Sequence, residues 1–228
     1  MTAPSNREFD IRGVNHLALV CKDMARTVEF YRDVLGMPLI KTIDLPNGMG
    51  QHFFFDIGNG DSLAFFWFPG APEAVPGVSA PAQLPGGGDI RSAHGSMNHI
   101  AFNVPAEKFD EYVAKLSAKG VKMGPVLNHD DSPMQVSPEV TDGVFVRSVY
   151  FWDPDGVMLE FASWTKGFTA ADVAHEAVDA SGKKSRAVVL QSLAENDERA
   201  LETAKEPQPE SSCRARGPHA SGAIDINT

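Results

Sequence analysis

The chain has 228 residues, 43% of them hydrophobic, and a formal net charge of −10 at pH 7. That length supports a buried core in one domain or two small ones. The acidic balance has no basic stripe to offset it, which excludes nucleic acid as the expected partner. No apolar run reaches 18 residues, and the N-terminus MTAPSNREFDIRG lacks the charged-then-apolar pattern of a secretion signal. The expectation is a cytoplasmic protein with no membrane span and a small-molecule partner. Cys21 and Cys213 lie too far apart in sequence to read as a thiolate metal motif or a disulfide framework.

In chain order, VNHLALV is strand-like. MARTVEFYRDVLGM then places Met24, Val28, Tyr31 and Leu35 on one helical face, with Asp23 as N-cap and Gly36 as the stop. PLIKTIDL, QHFFFDIG and SLAFFWF follow as strands, separated by the turn chemistry of LPNGMG and GNGD. After a Pro/Gly/Ala-rich connection the order repeats. MNHIAFNV predicts a strand, and AEKFDEYVAKLSAKG a helix with Phe109, Val113 and Leu116 on one face. VKMGPVLN, GVFVRSVYFW and VMLEFASW predict three more strands, with DPDG as the last hairpin turn.

The pattern is a tandem βαβββ repeat. It predicts a first module over 11–69, a linker over 70–95, a second module over 96–164 and an extension over 165–228. The extension is small, polar and Pro/Gly-rich, and is expected to be largely disordered, with one helix in RAVVLQSLAENDERALETA.

Glu160 is a carboxylate inside the apolar strand VMLEFASW, and an ionised carboxylate there needs a partner. Overlaying NGDSLAFF on PDGVMLEF sets Ala64 opposite Glu160, so only the second module carries the charge. The repeat also pairs VNHLAL with MNHIAF, which puts His16 and His99 at equivalent places. Strand alternation sets His16 with Val14 and Ala18, and His99 with Met97 and Ala101. If a pseudo-twofold axis joins those strands, the two imidazoles converge. Two imidazoles and one carboxylate form a facial set on a divalent metal that leaves open positions.

VNHLAL, TVEFYRDVLGM, MNHIAF and VYFWDPDGVMLEF together resemble the vicinal oxygen chelate superfamily. It includes glyoxalase I, methylmalonyl-CoA epimerase, fosfomycin-modifying proteins and type I extradiol dioxygenases. The resemblance spans residues 11–164. It implies an α+β fold in which the modules form a curled mixed-sheet open barrel around a metal held by His16, His99 and Glu160, and it implies a homodimer. The four-ligand members carry Glu or Gln near SLAFFWF, where this chain has Ala64, so the resemblance favours three ligands and Fe(II), with Mn(II), Ni(II) or Zn(II) as alternatives. VYFWDPDGVMLE also resembles the end of the extradiol signature, with Tyr150 where that family hydrogen-bonds a bound catecholate. The upstream His of that signature is missing from EVTDGVFVRS.

For the acid/base His that the resemblance implies, His52, His94 and His129 are the candidates. His52 comes first because it lies within a strand. His175 and His219 fall in the extension and are assigned nothing. Aromatic residues including Phe53, Phe55, Phe65 and Trp152 could line a cavity for a ring. The reading is an Fe(II)-dependent extradiol-type dioxygenase acting on a small catechol-like aromatic. The alternatives are a glyoxalase-like or epimerase-like lyase or isomerase, and a non-catalytic small-molecule binder.

Overall fold

The structure, a computed structural model, describes residues 8–173 and 175–185. The chain divides into a unit spanning Asn6–Gly167 and a second unit to which the described residues from Phe168 on belong. In the second unit the strands β10 (Ala177–Val178) and β11 (Lys184–Ser185) pair antiparallel, so residues expected to lack structure form a short hairpin. The helix expected in RAVVLQSLAENDERALETA lies outside the described residues.

The larger unit opens with β1 (His16–Cys21) and α1 (Met24–Val28). Asp23 caps α1 by accepting from the Arg26 amide at 3.1 Å, as its short acidic side chain predicts. One regular helix was expected through Leu35, but Glu29–Val34 continue as a π-helical segment. There the Leu35 amide reaches back to the Phe30 carbonyl at 2.9 Å. The helical stretch still buries Met24, Thr27 and Tyr31. β2 (Leu39–Leu45), β3 (Gly50–Gly58) and β4 (Asp61–Trp67) complete a mixed sheet ordered β1-β4-β3-β2, with β1 parallel to β4.

The second sheet repeats this plan. It contains β5 (Ile100–Asn103), β6 (Leu127–His129), β7 (Val136–Ser137), β8 (Val146–Trp152) and β9 (Met158–Trp164), in the order β5-β9-β8-β6-β7, and β5 is parallel to β9. The helix α2 (Phe109–Ala118) follows β5 and buries Phe109 and Leu116. Both sheets are curled, and neither closes into a barrel.

Strand alternation sorts the side chains. On β4 and β3, Leu63, Phe65 and Phe55 turn to the helix side. On β8 and β9, Val149, Phe151 and Leu159 do the same, and all of these belong to one continuous core with Tyr31, Phe109 and Leu116. The two sheets therefore share a core through their helix-side faces. Their opposite faces are left to carry the polar site residues.

A buried hydrogen bond also ties the two halves together. The Tyr31 hydroxyl donates to Asp153 Oδ2 at 3.0 Å, with both residues buried. The Asp155 and Val157 amides donate to Asp153 Oδ1 at 2.8 and 2.7 Å, which closes the DPDG turn. Burial pushes the Asp153 carboxyl up to about 6, against the pull of these donors. A carboxyl raised in the folded state holds its proton where the unfolded chain has released it, so its contribution to stability is full below about pH 4 and falls as pH rises toward 6. The gap corresponds to about 3 kcal/mol. Asp153→Asn keeps the shape and removes the charge. In urea melts the variant should match the wild type near pH 4 and exceed its stability by up to about 3 kcal/mol at pH 7.5. Parallel pH profiles for the two proteins would contradict this account.

Candidate metal centre

Glu160 lies on β9, paired with Tyr150 on one side and Ala101 on the other, and is 4% exposed. His99 stands one residue before β5 rather than inside it, and the alternation still turns it to Glu160. Its Nε2 lies 3.0 Å from Glu160 Oε2. The other carboxylate oxygen, Oε1, accepts from the hydroxyl of the fully buried Ser148. Tyr150 stands beside Glu160 in register on β8, and its ring meets His99 edge-on at 5.4 Å. Burial pushes the Glu160 carboxyl up, but the neighbouring His99 imidazole and the Ser148 hydroxyl outweigh it, so the net direction is down. Burial, reinforced by the Glu160 charge, pushes the Tyr150 phenol well above its usual range. The group is thus an ionised carboxylate facing an imidazole, with the tyrosine kept neutral.

The first sheet carries the matching half. His16 begins β1, in register with Ser62, and Ala18 is in register with Ala64. In the second sheet Ala101, two residues after His99, is in register with Glu160. Ala64 therefore occupies the place of Glu160, and Phe54, opposite Ala64, occupies that of Tyr150. His16 meets Phe54 edge-on at 5.6 Å, much as His99 meets Tyr150. In each half an Asn side-chain oxygen lies 2.8 Å from the His Nδ1, Asn15 for His16 and Asn98 for His99.

His52 takes the register place of Ser148. Its ring stacks on Phe66 at 3.6 Å and packs against Phe54 at 4.2 Å, and Phe66 stacks on Phe68 at 5.2 Å. His52 Nε2 is buried with no hydrogen-bond partner among the described residues, and burial, then the charge of His16, push this imidazole down. His94 sits exposed in a turn of the connecting segment. His129 Nε2 is also buried and unpartnered. It shares the Glu160 face but stands opposite Val146, four residues along β8 from Tyr150, or about 13 Å of strand. Of the aromatic residues expected to line a cavity, Phe55 and Phe65 belong to the core instead.

The structure brings His99, Glu160 and Tyr150 together and leaves His16 and His52 on the other sheet. Among the described residues, no three His, Cys, Asp or Glu side chains are grouped to hold a metal ion. His16 is not grouped with His99 and Glu160 among the described residues. The nitrogen and oxygen of the His99–Glu160 pair fit two positions on a divalent cation, and a third donor must come from elsewhere. Ser148 escaped sequence reading, because a hydroxyl between Arg147 and the apolar run VYFW carries no signal of its own.

Two βαβββ halves, each with an Asn-His pair at the entry to its first strand and one with a buried carboxylate, define a tandem-module α+β protein. The family model described as "Glyoxalase/Bleomycin resistance protein/Dioxygenase superfamily" matches residues 13–161, and the chain belongs to that superfamily. MhqE of Bacillus subtilis, named as a ring-cleaving dioxygenase, is 23% identical over 159 residues, covering 64% of this chain and 46% of MhqE. The match thus spans less than half of that relative's length. The fosfomycin resistance protein FosX of Listeria monocytogenes is 27% identical over 156 residues, covering 68% of this chain and 92% of FosX. A crystal structure of FosX with Mn(II) and sulfate aligns at a TM-score of 0.43 and 22% identity, over 68% of this chain and 94% of that one. No helix among the described residues is long and apolar enough to cross a membrane.

Proposed function

We propose that this chain is a cytoplasmic, homodimeric, divalent-metal-dependent enzyme that opens small catechol-like aromatic rings with dioxygen. In this reading residues 11–69 and 96–164 are its two half-sites. The metal is held by His99 and Glu160 of one chain and His16 of a second copy. The observation that carries the reading is that Ala64 and Glu160 take equivalent register places in the two sheets: the first sheet offers an imidazole and no carboxylate, so complementary halves make a set of two His and one carboxylate. The faces bearing these residues also expose apolar surface, Val20 at 51% four residues along β1 from His16 and Trp164 at 55% four residues along β9 from Glu160, which a second copy would cover.

Fe(II), or Mn(II), Ni(II) or Zn(II) in its place, would supply Lewis acidity for adjacent substrate oxygens. The chain's own residues do the rest. Glu160 stays ionised beside His99 and the Ser148 hydroxyl. Phe54, Phe66 and Phe68 form an aromatic shelf for a planar ring. His52, kept neutral by burial, accepts the proton of a ring hydroxyl on its unpartnered nitrogen and later returns it. Tyr150 packs between its strand neighbour Glu160 and the His99 ring, and so helps to hold both in place.

A second reading, an oxygen-independent lyase or isomerase, draws on the match that covers 92% of FosX against 46% of MhqE. The experiment is oxygen uptake by anaerobically purified, Fe(II)-loaded protein against catechols and hydroquinones, with Glu160→Gln as control. Uptake with a coloured ring-opened product, lost in the control, is expected. Stoichiometric metal without uptake moves the function to the second reading, and no metal at all leaves a binding module.

A further inference from the structure

Asn98 is held on both sides. Its Nδ2 donates to the Ile90 carbonyl in the connecting segment at 2.9 Å. This fixes the amide orientation, because a flipped amide would set its oxygen against a carbonyl oxygen. Oδ1 therefore faces His99 Nδ1 at 2.8 Å, and only an N–H on that nitrogen makes the contact favourable. In the neutral ring Nε2 is then a lone pair, 3.0 Å from Glu160 Oε2. With Oε1 taken by Ser148, the carboxylate also offers Oε2 toward that point. Two lone pairs at this distance repel unless a cation lies between them or a proton bridges them.

We propose that Asn98, tethered to the Ile90 carbonyl, is a positioning residue that locks His99 as the Nδ1–H tautomer and so directs Nε2 and Glu160 Oε2 at one divalent cation. The cation rests on the metal reading above; the tautomer does not. Freed of Asn98, the neutral ring would place its proton on Nε2 and donate it to Glu160, blocking the nitrogen a metal needs.

Long-range 1H–15N correlation spectra of the metal-free, full-length protein at alkaline pH report the tautomer directly, with the His99 signals assigned by loss in His99→Gln. Mn(II) titration of the same samples by calorimetry gives the affinity. The wild type should show Nδ1–H. Asn98→Ala should move the proton to Nε2 and weaken Mn(II) binding roughly 10–100-fold. Asn98→Asp keeps an acceptor for Nδ1–H but loses the tether to Ile90, so it should restore the Nδ1–H tautomer, which a merely structural role would not predict. An Nε2–H wild type, or Asn98→Ala with unchanged tautomer or unchanged Mn(II) affinity, would overturn the proposal. A wild type that is Nδ1–H but binds no Mn(II) overturns the cation half of the proposal together with the metal reading, while the Asn98→Ala spectrum still decides the lock.

Discussion

Mixing His16→Ala chains with Glu160→Gln chains should restore metal sites that neither variant forms alone. Each variant by itself lacks one ligand at every site, whatever the pairing. In a mixed dimer, the His16→Ala chain supplies an intact His99 and Glu160, and the Glu160→Gln chain supplies an intact His16. One of the two sites is then complete and the other lacks two ligands. Random re-pairing makes half the dimers mixed, so about a quarter of the wild-type sites should return, in metal content and in turnover alike. Co-expression with two tags and tandem purification raises this to about half, because only mixed dimers are kept. A site closed within a single chain gives no recovery at any mixing ratio. Absence of recovery, with mixed dimers shown by mass, would therefore sink the two-chain arrangement.

That arrangement is also where sequence reading reaches its limit. The repeat, the strand alternation and the Asn-His pairs are local features with periods of two residues or one module, and they are legible in MNHIAF and VNHLAL. The register confirms the overlay of Ala64 on Glu160 because both hairpins are set by the same Gly-containing turn, at Gly60 and Gly156. How the two sheets face each other is decided instead by which apolar faces share a core. Both faces of strands such as HFFFDIG are apolar, so the pattern does not say that Phe55 joins Tyr31 and Phe151 while Phe54 joins His16. Nor does it show that Asn98 is tied to Ile90, or that the Tyr150 ring meets His99, since both depend on contacts across elements. The π-helical stretch after α1 is hidden as well: its residues read as ordinary helix formers, and the bond from Tyr31 within it to Asp153 crosses 122 residues of sequence.

Gly50→Ala should cost more stability than any other small substitution in the first sheet. Gly50 opens β3 at φ +141°, and a Cβ there would lie 1.9 Å from the Trp67 carbonyl oxygen and 3.4 Å from the Phe68 Cα. Both are backbone atoms of the neighbouring strand and its continuation, so no side-chain rotation relieves the clash. Backbone strain and overpacking together should remove about 4 kcal/mol, a large share of the roughly 5–15 kcal/mol typical of a domain. Gly48 provides the control, two residues earlier in the same turn. It has φ +70° and nothing within 4 Å of the place a Cβ would take, so Gly48→Ala meets only the left-handed backbone penalty of roughly 1–2 kcal/mol. The difference between the two variants in urea unfolding combines the close approach of β3 to β4 with the steeper backbone penalty at φ +141°. The same approach sets Gln51 opposite Trp67 and His52 opposite Phe66, which holds the His52 ring on its aromatic shelf. Gly50→Ala should therefore also weaken binding of a planar aromatic under conditions where the variant remains folded, with Trp67 fluorescence reporting the displaced strand. Equal stability losses for Gly48→Ala and Gly50→Ala would show that β3 can move away from β4, and that the placement of His52 does not depend on this glycine.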